Sequence, residues 1–82
     1  MQVEILTPDK HIFSGEASSV TVPGTLGSFE ILNNHAPIIS TLDDGKLVVR
    51  TSGNNEIFRI RGGVVEVNEN KVIVLAESIQ HS

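Results

Sequence analysis

Three histidines, an aspartate pair and two glycine-rich stretches are the residues of this 82-residue chain whose types could carry chemistry. His11, His35 and His81 are scattered, and none has a second ligand-type residue at zinc-like spacing. No metal site is therefore expected. His35, between Asn33-Asn34 and Pro37, reads as a loop residue bonding nearby backbone, and His81 reads as part of a frayed tail. Asp43-Asp44 precede Gly45, where carboxylates serve as turn residues rather than as acid and base. Serines are plentiful, but the chain has no Gly-x-Ser-x-Gly elbow that would expose one as a nucleophile. Gly24-Thr25-Leu26-Gly27 and Gly62-Gly63 are the stretches that might cradle a phosphate. Gly45-Lys46 is followed by Leu47 and lacks the upstream glycine of a P-loop. No helix is expected after any of them to supply a dipole, so they read as turns and no cofactor is expected. Phe13, Phe29 and Phe58 are the only aromatics. All three fall on apparent strands, which makes them core residues and leaves no stacking platform for sugars or bases.

The elements that would position these residues are strands. Gln2 to Leu6 alternates, with Val3 and Ile5 on one face. Thr7-Pro8-Asp9-Lys10 is a turn, because Pro8 presets its backbone and Asp9 bonds locally. His11 to Phe13 is a short strand punctuated by Ser14-Gly15, and Glu16 to Val22 is a longer one. Pro23–Gly27 and Asn33–Pro37 are loops flanking the strand Ser28 to Leu32. A straight strand there puts the two loops at opposite ends, about 17 Å apart, and a bent one brings them together. Ile38 to Leu42 ends at Asp43-Asp44-Gly45. Lys46 to Thr51 follows, then Ser52 to Asn55 as a hairpin-like turn. Glu56 to Arg61 alternates, with Phe58 and Ile60 inward and Arg59 and Arg61 outward. Gly62-Gly63 should break or bulge the chain. Val64 to Val67, the turn Asn68-Glu69-Asn70 and the β-branched run Lys71 to Ala76 complete the pattern. Ala76 to Gln80 could form a helical turn, too short for a stable helix. Short strands every eight to twelve residues predict an all-β sandwich or barrel.

Composition narrows the function classes. A chain of this length makes one domain, residues 1–82, with a thin core that docking to a partner would reinforce. It has no cysteine, hence no disulfide and no thiolate chemistry. That suits a reducing compartment. Met1-Gln2-Val3-Glu4 has no basic start followed by an apolar run, so no signal peptide is expected. The longest apolar stretch, Val72 to Ala76, is far below the ~20 residues of a spanning helix. Six Lys and Arg stand against ten Asp and Glu, a formal charge of −4. This disfavours a nucleic-acid partner, whose phosphates are held mainly by Lys and Arg. The cations do not cluster beyond Arg59 and Arg61.

One ordered set of motifs is more specific. Gly24-x-Leu26-Gly27, then Ile31-Leu32, then His35-Ala36-Pro37-Ile38-Ile39 forms the first part. Gly62-Gly63-Val64-Val65-Glu66-Val67 and Val72-Ile73-Val74-Leu75-Ala76-Glu77 form the second, and Phe13-Ser14-Gly15 matches an opening hairpin. Together they resemble the N-terminal domain of the epsilon subunit of rotary F-type ATP synthases, over nearly the whole chain. The resemblance implies a flattened β-sandwich of about ten short strands, and no catalysis by the subunit itself. It implies two partners, the gamma subunit that forms the shaft and the polar loops of the proton-carrying ring. It implies a peripheral position at the cytoplasmic face of the cell membrane, touching the membrane only through the complex. Residue by residue, Gly24, Thr25, Leu26 and Gly27 match the ring-facing loop. Thr7, His35 and Ser40 fall where the family faces gamma, and Gly62-Gly63 is a structural turn. The family's usual two-helix C-terminal domain has no counterpart before Ser82. Inhibition of ATP hydrolysis by that hairpin is therefore not expected of these residues. A generic β-sandwich adaptor for a different protein is the competing reading, and a small hydrolase or lectin-like domain is a third.

Overall fold

The structure, a computed structural model, describes residues 1–81. It contains eight strands: β1 (Gln2–Leu6), β2 (His11–Glu16), β3 (Ser19–Gly24), β4 (Gly27–Leu32), β5 (Ile38–Leu42), β6 (Gly45–Arg50), β7 (Asn55–Asn68) and β8 (Lys71–His81). Every neighbouring pair is antiparallel except β1 with β8, which run parallel.

Two long strands build both layers of a sandwich. The first half of β7, Asn55 to Ile60, pairs with β6, and the second half, Gly63 to Val67, pairs with β5. Strand β8 follows β7 throughout, and its first half also pairs with β1. The first layer is thus β2, β1, the start of β8, the end of β7, and β5. The second is β4, β3, β6, the start of β7 and the end of β8. Eight strands make ten strand segments, five in each layer, which accounts for the number that the family resemblance implies. Both layers feed one core, in which Val3, Ile5, Val65, Val67, Val72 and Val74 meet Val20, Val22, Ile31, Leu47, Val49 and Phe58.

The passage between layers is set at Gly62-Gly63. The strand is not broken there. Phe58 and Ile60 point inward at even positions, and Val65 and Val67 point inward at odd ones. Alternation therefore slips once between Arg61 and Val64. Strand β8 slips at the same row, from buried Val72, Val74 and Ala76 to Ile79, which packs against the core. Because both strands change together, the pairing register is the same on either side, Arg61 with Ser78 and Gly63 with Ala76. Gly62 has φ +52 and Gly63 φ +147, both in the region that disfavours side chains. A Cβ on Gly63 would lie 2.9 Å from the Cα of Ala76 and would overlap the Leu75 carbonyl oxygen.

Several local expectations change. Residues Ala76 to Gln80 are strand, because Arg59, Ile60 and Arg61 offer them a ladder that a lone helical turn lacks. His81 is not frayed. It pairs with Phe58, stacks on its ring at 4.5 Å, and approaches Glu56 at 2.7 Å. The long strand from Glu16 to Val22 divides at Ala17-Ser18. There the Ala17 amide bonds Met1 in the first layer, and the Ser18 amide bonds Arg50 in the second. Pro23 is in β3 opposite Ser28, which reduces the following loop to Thr25-Leu26. The Glu69-Asn70 turn takes φ +48 and +59, the paired positive angles of the tight hairpin turn whose twist suits the strands.

Candidate docking surface

Strand β4 is straight against β3, in register from Gly24 opposite Gly27 to Ser19 opposite Leu32. The two loops singled out from sequence therefore lie at opposite ends of it. The first, Gly24–Gly27, is a two-residue hairpin. Gly24 is required by packing, since a Cβ there would sit 2.8 Å from the Phe29 ring. With Phe29 seated against it, the tip turns Leu26 fully into solvent, at 103% relative exposure. The tip is tied to β5. The Thr25 amide donates to the Thr41 carbonyl at 3.1 Å, and the two threonine hydroxyls lie 2.9 Å apart. Ser40 lines the same shallow concavity as Leu26, Phe29 and Ile39.

The second loop is held by the β7–β8 turn. The Asn34 amide donates to Asn70 Oδ1 at 2.7 Å, and the His35 amide donates to the Leu32 carbonyl. His35 itself is half-buried, its Nδ1 2.7 Å from the Ala36 carbonyl. Thr7 is elsewhere again, in the β1–β2 turn, where its hydroxyl oxygen accepts the Asp9 and Lys10 amides. Thr7, His35 and Ser40 are thus not one cluster. Between Ser40 on β5 and Thr7 at the end of β1 lie β7 and β8, three strand spacings or about 14 Å. Ser40 alternates with exposed Ile39 and Thr41, so its side chain leans toward the inner side, where its hydroxyl donates to the Thr41 carbonyl.

The outer face of the first layer, which sequence reading did not single out, carries exposed apolar side chains. Across it run two rows fixed by register. One is Leu6, Leu75, Val64 and Thr41; the other is Glu4, Ile73, Glu66 and Ile39. Ile39 is 74% exposed, Leu75 43% and Val64 39%. The far end of the face is polar, with Gln2, Lys71 and Asn68. A signal was present in the sequence. Val64-Val65 and Val72 to Ala76 are apolar on both faces of their strands, the pattern of a sheet covered on both sides. Here the core covers only one side.

Charges border this face in a fixed arrangement. Glu4 on β1 accepts Lys71 Nζ at 3.0 Å and approaches His11 Nε2 at 3.2 Å. The hydrogen bond from Lys71, then that from His11, holds the Glu4 carboxyl below its ordinary value. Among the described residues no three His, Asp or Glu side chains converge as a metal group would require.

The strands, the partly apolar outer face and the protruding hairpin define a structural class, a small all-β sandwich. Comparison with known proteins then gives the family. Residues 1–82 match the β-sandwich domain of ATP synthase Delta/Epsilon chains. The chain belongs to that family. It is 42% identical to the ATP synthase epsilon chain of Salinibacter ruber, covering 98% of this chain and 60% of that one. It is 43% identical to the epsilon chain of Chlorobium limicola, covering 95% of this chain and 90% of that one. Among solved structures it superposes with TM-score 0.84 on a chain of the Tetrahymena thermophila mitochondrial ATP synthase central stalk and c-ring. Identity there is 22%, with 96% of this chain and 64% of that chain covered, so the likeness speaks for the fold.

Proposed function

We propose that this chain is a non-catalytic rotor part of an F-type ATP synthase, fixed to the gamma shaft and resting on the ring, so that ring rotation turns the shaft for ATP synthesis. The observation that carries this reading is the bare apolar outer face of the first layer, within a family whose relatives are epsilon chains. Ile39, Val64 and Leu75 offer a flat area whose burial would stabilise an interface at about 25 cal/mol per Å2 of apolar surface. The Gly24–Gly27 hairpin, with Leu26 at its tip, is the ring-facing contact. A close-packed sandwich deforms little, which suits a part that must pass torque without slipping. In that assembly the chain sits at the cytoplasmic face of the membrane and meets the bilayer only through its partners.

The test is calorimetry against the purified gamma subunit. Ile39→Asp and Leu75→Asp each place a charge in the proposed interface at sites exposed enough to fold normally. Each should weaken binding about tenfold or more, and His35→Asp should weaken it as well. Unchanged affinity in both apolar-face variants would end this reading of the face. Leu26→Asp should leave gamma binding intact and lower proton-driven ATP synthesis in the reconstituted complex.

A further inference from the structure

The outer face of the second layer has an opposite character. Lys46 on β6 and Arg59 on β7 are directly opposed across the ladder, and Arg61 follows two residues along on the same face. All three are exposed. Like charges opposed on neighbouring strands destabilise a sheet. Among the described residues, no carboxylate lies within 4.0 Å of any of the three. The chain's other strand cations are matched: Arg50 faces Glu30 at 3.6 Å and Lys71 faces Glu4 at 3.0 Å. In a chain of charge −4, half of the six Lys and Arg thus stand together with no ion pair among the described residues.

The same face borders an open edge. The end of β8, Ser78 to His81, pairs with β7 on one side, and among the described residues no strand pairs with its other side. Arg59 and Arg61 lie one strand in, opposite Gln80 and Ser78, and line a shallow concavity with them; Asp44 is at its rim, outside ion-pair distance of either arginine.

We propose that this edge and its basic row form a docking site for an extended acidic segment of another protein, one with Asp or Glu at alternate positions. Backbone hydrogen bonds would come from the unpaired edge of β8, as in strand addition. Carboxylates two residues apart along a strand repeat every ~7 Å, the spacing of Arg59 and Arg61. Arginine forks are matched to carboxylates. A single phosphate fits less well, because the cations are laid out in a line and no helix start or glycine nest converges on one point. An anionic bilayer fits less well too, since three cations at ~1 kcal/mol each face the repulsion of an acidic chain. The site is on the face opposite Ile39, Val64 and Leu75, and it does not depend on the shaft reading.

The probe is a labelled peptide of alternating Thr and Glu, titrated by fluorescence anisotropy at low ionic strength, beside its Thr-Lys counterpart. Saturable binding of the glutamate peptide alone is expected, weakening as salt is added. The double variant R59E/R61E should weaken it about tenfold or more. Amide exchange of residues 78–81 should slow when the peptide binds. Charge reversal beside Lys46 relieves repulsion, so the double variant should fold; R59Q/R61Q serves as a milder second variant. Three results would overturn the proposal: no saturable binding, binding indifferent to both variants, or pyrophosphate or anionic phosphatidylglycerol vesicles binding as tightly as the peptide.

Discussion

Replacing Gly63 with alanine tests the logic of the layer crossing more directly than any core deletion. Gly63 has φ +147, a conformation that costs a non-glycine residue about 1–3 kcal/mol. It also has no room. The new methyl would stand 2.9 Å from the Cα of Ala76 and overlap the Leu75 carbonyl, both backbone atoms of the paired strand. Backbone cannot rotate aside as a side chain can, so β7 and β8 must separate at the row where both change layers. Gly53 provides the control. Its φ is +109, and a Cβ there would meet nothing within 4 Å. Gly53→Ala therefore carries conformational strain alone, and the difference between the variants isolates the close approach. A domain of this length has a stability of about 4–12 kcal/mol. Gly63→Ala should lose more than ~3 kcal/mol of it, a fall in Tm of roughly 12–24 °C, and Gly53→Ala clearly less. Urea and thermal melts followed by circular dichroism measure both. If Gly63→Ala melts within a few degrees of Gly53→Ala, the two strands are not locked at this row and the account of the crossing is wrong.

Three further outcomes can be measured on the same chain. Phe58 is 1% exposed, with Phe13 edge-on at 6.0 Å and His81 stacked on it; Phe58→Ala should cost about 3–5 kcal/mol in a urea melt and Phe58→Leu under about 1.5. Glu4 is held below its ordinary value of 4.5, so its ionised form stabilises the fold above that pH and the contribution is lost as pH falls through the lowered value. Glu4→Gln should therefore be less stable than wild type near neutrality and converge with it in acid, as thermal melts across pH 2–7 would show; a constant difference across that range would count against the pairing with Lys71 and His11. Arg59→Glu converts a like pair with Lys46 into an opposite one and should raise stability by about 0.2–1 kcal/mol, read as a Tm increase of a few degrees.

Much of the architecture is legible in the sequence because several strand segments alternate and several turns carry their own chemistry. Val3 with Ile5, and Phe58 with Ile60, are identified as core residues by period alone. Asn68-Glu69-Asn70 falls where the chain reverses, whereas Asp43-Asp44 only marks the passage from β5 to β6, which both run antiparallel to β7 in the same direction. What escapes is whatever depends on a partner strand. Residues 76–80 are ambiguous by themselves and become strand only because β7 extends past the glycine pair to receive them. His81 reads as a tail until Phe58 is placed beneath it. The Ala17-Ser18 crossing has no local marker, since its two amides are satisfied by Met1 and Arg50, the latter more than thirty positions away. The candidate docking residues fare likewise. Motif matching locates Thr7, His35 and Ser40 one at a time, and only the structure shows them apart, in the β1–β2 turn, in the β4–β5 loop and on β5.

The slip at Gly62-Gly63 ties the fold to the character of its two exterior faces. Along β7, before the glycines, odd positions face solvent, and they are Arg59 and Arg61. After them, even positions face solvent, and they are Val64 and Glu66. One strand therefore presents a basic row on one layer and part of an apolar row on the other. Without the slip, continued alternation from Ile60 would turn Val64 and Glu66 inward and Val65 and Val67 outward. The first layer would lose its share of the core and its flat apolar exterior together. The glycine pair thus has a role that neither a turn nor a bulge alone describes. It sets which side chains the two exterior faces display, and so makes two chemically distinct faces from one continuous pair of strands.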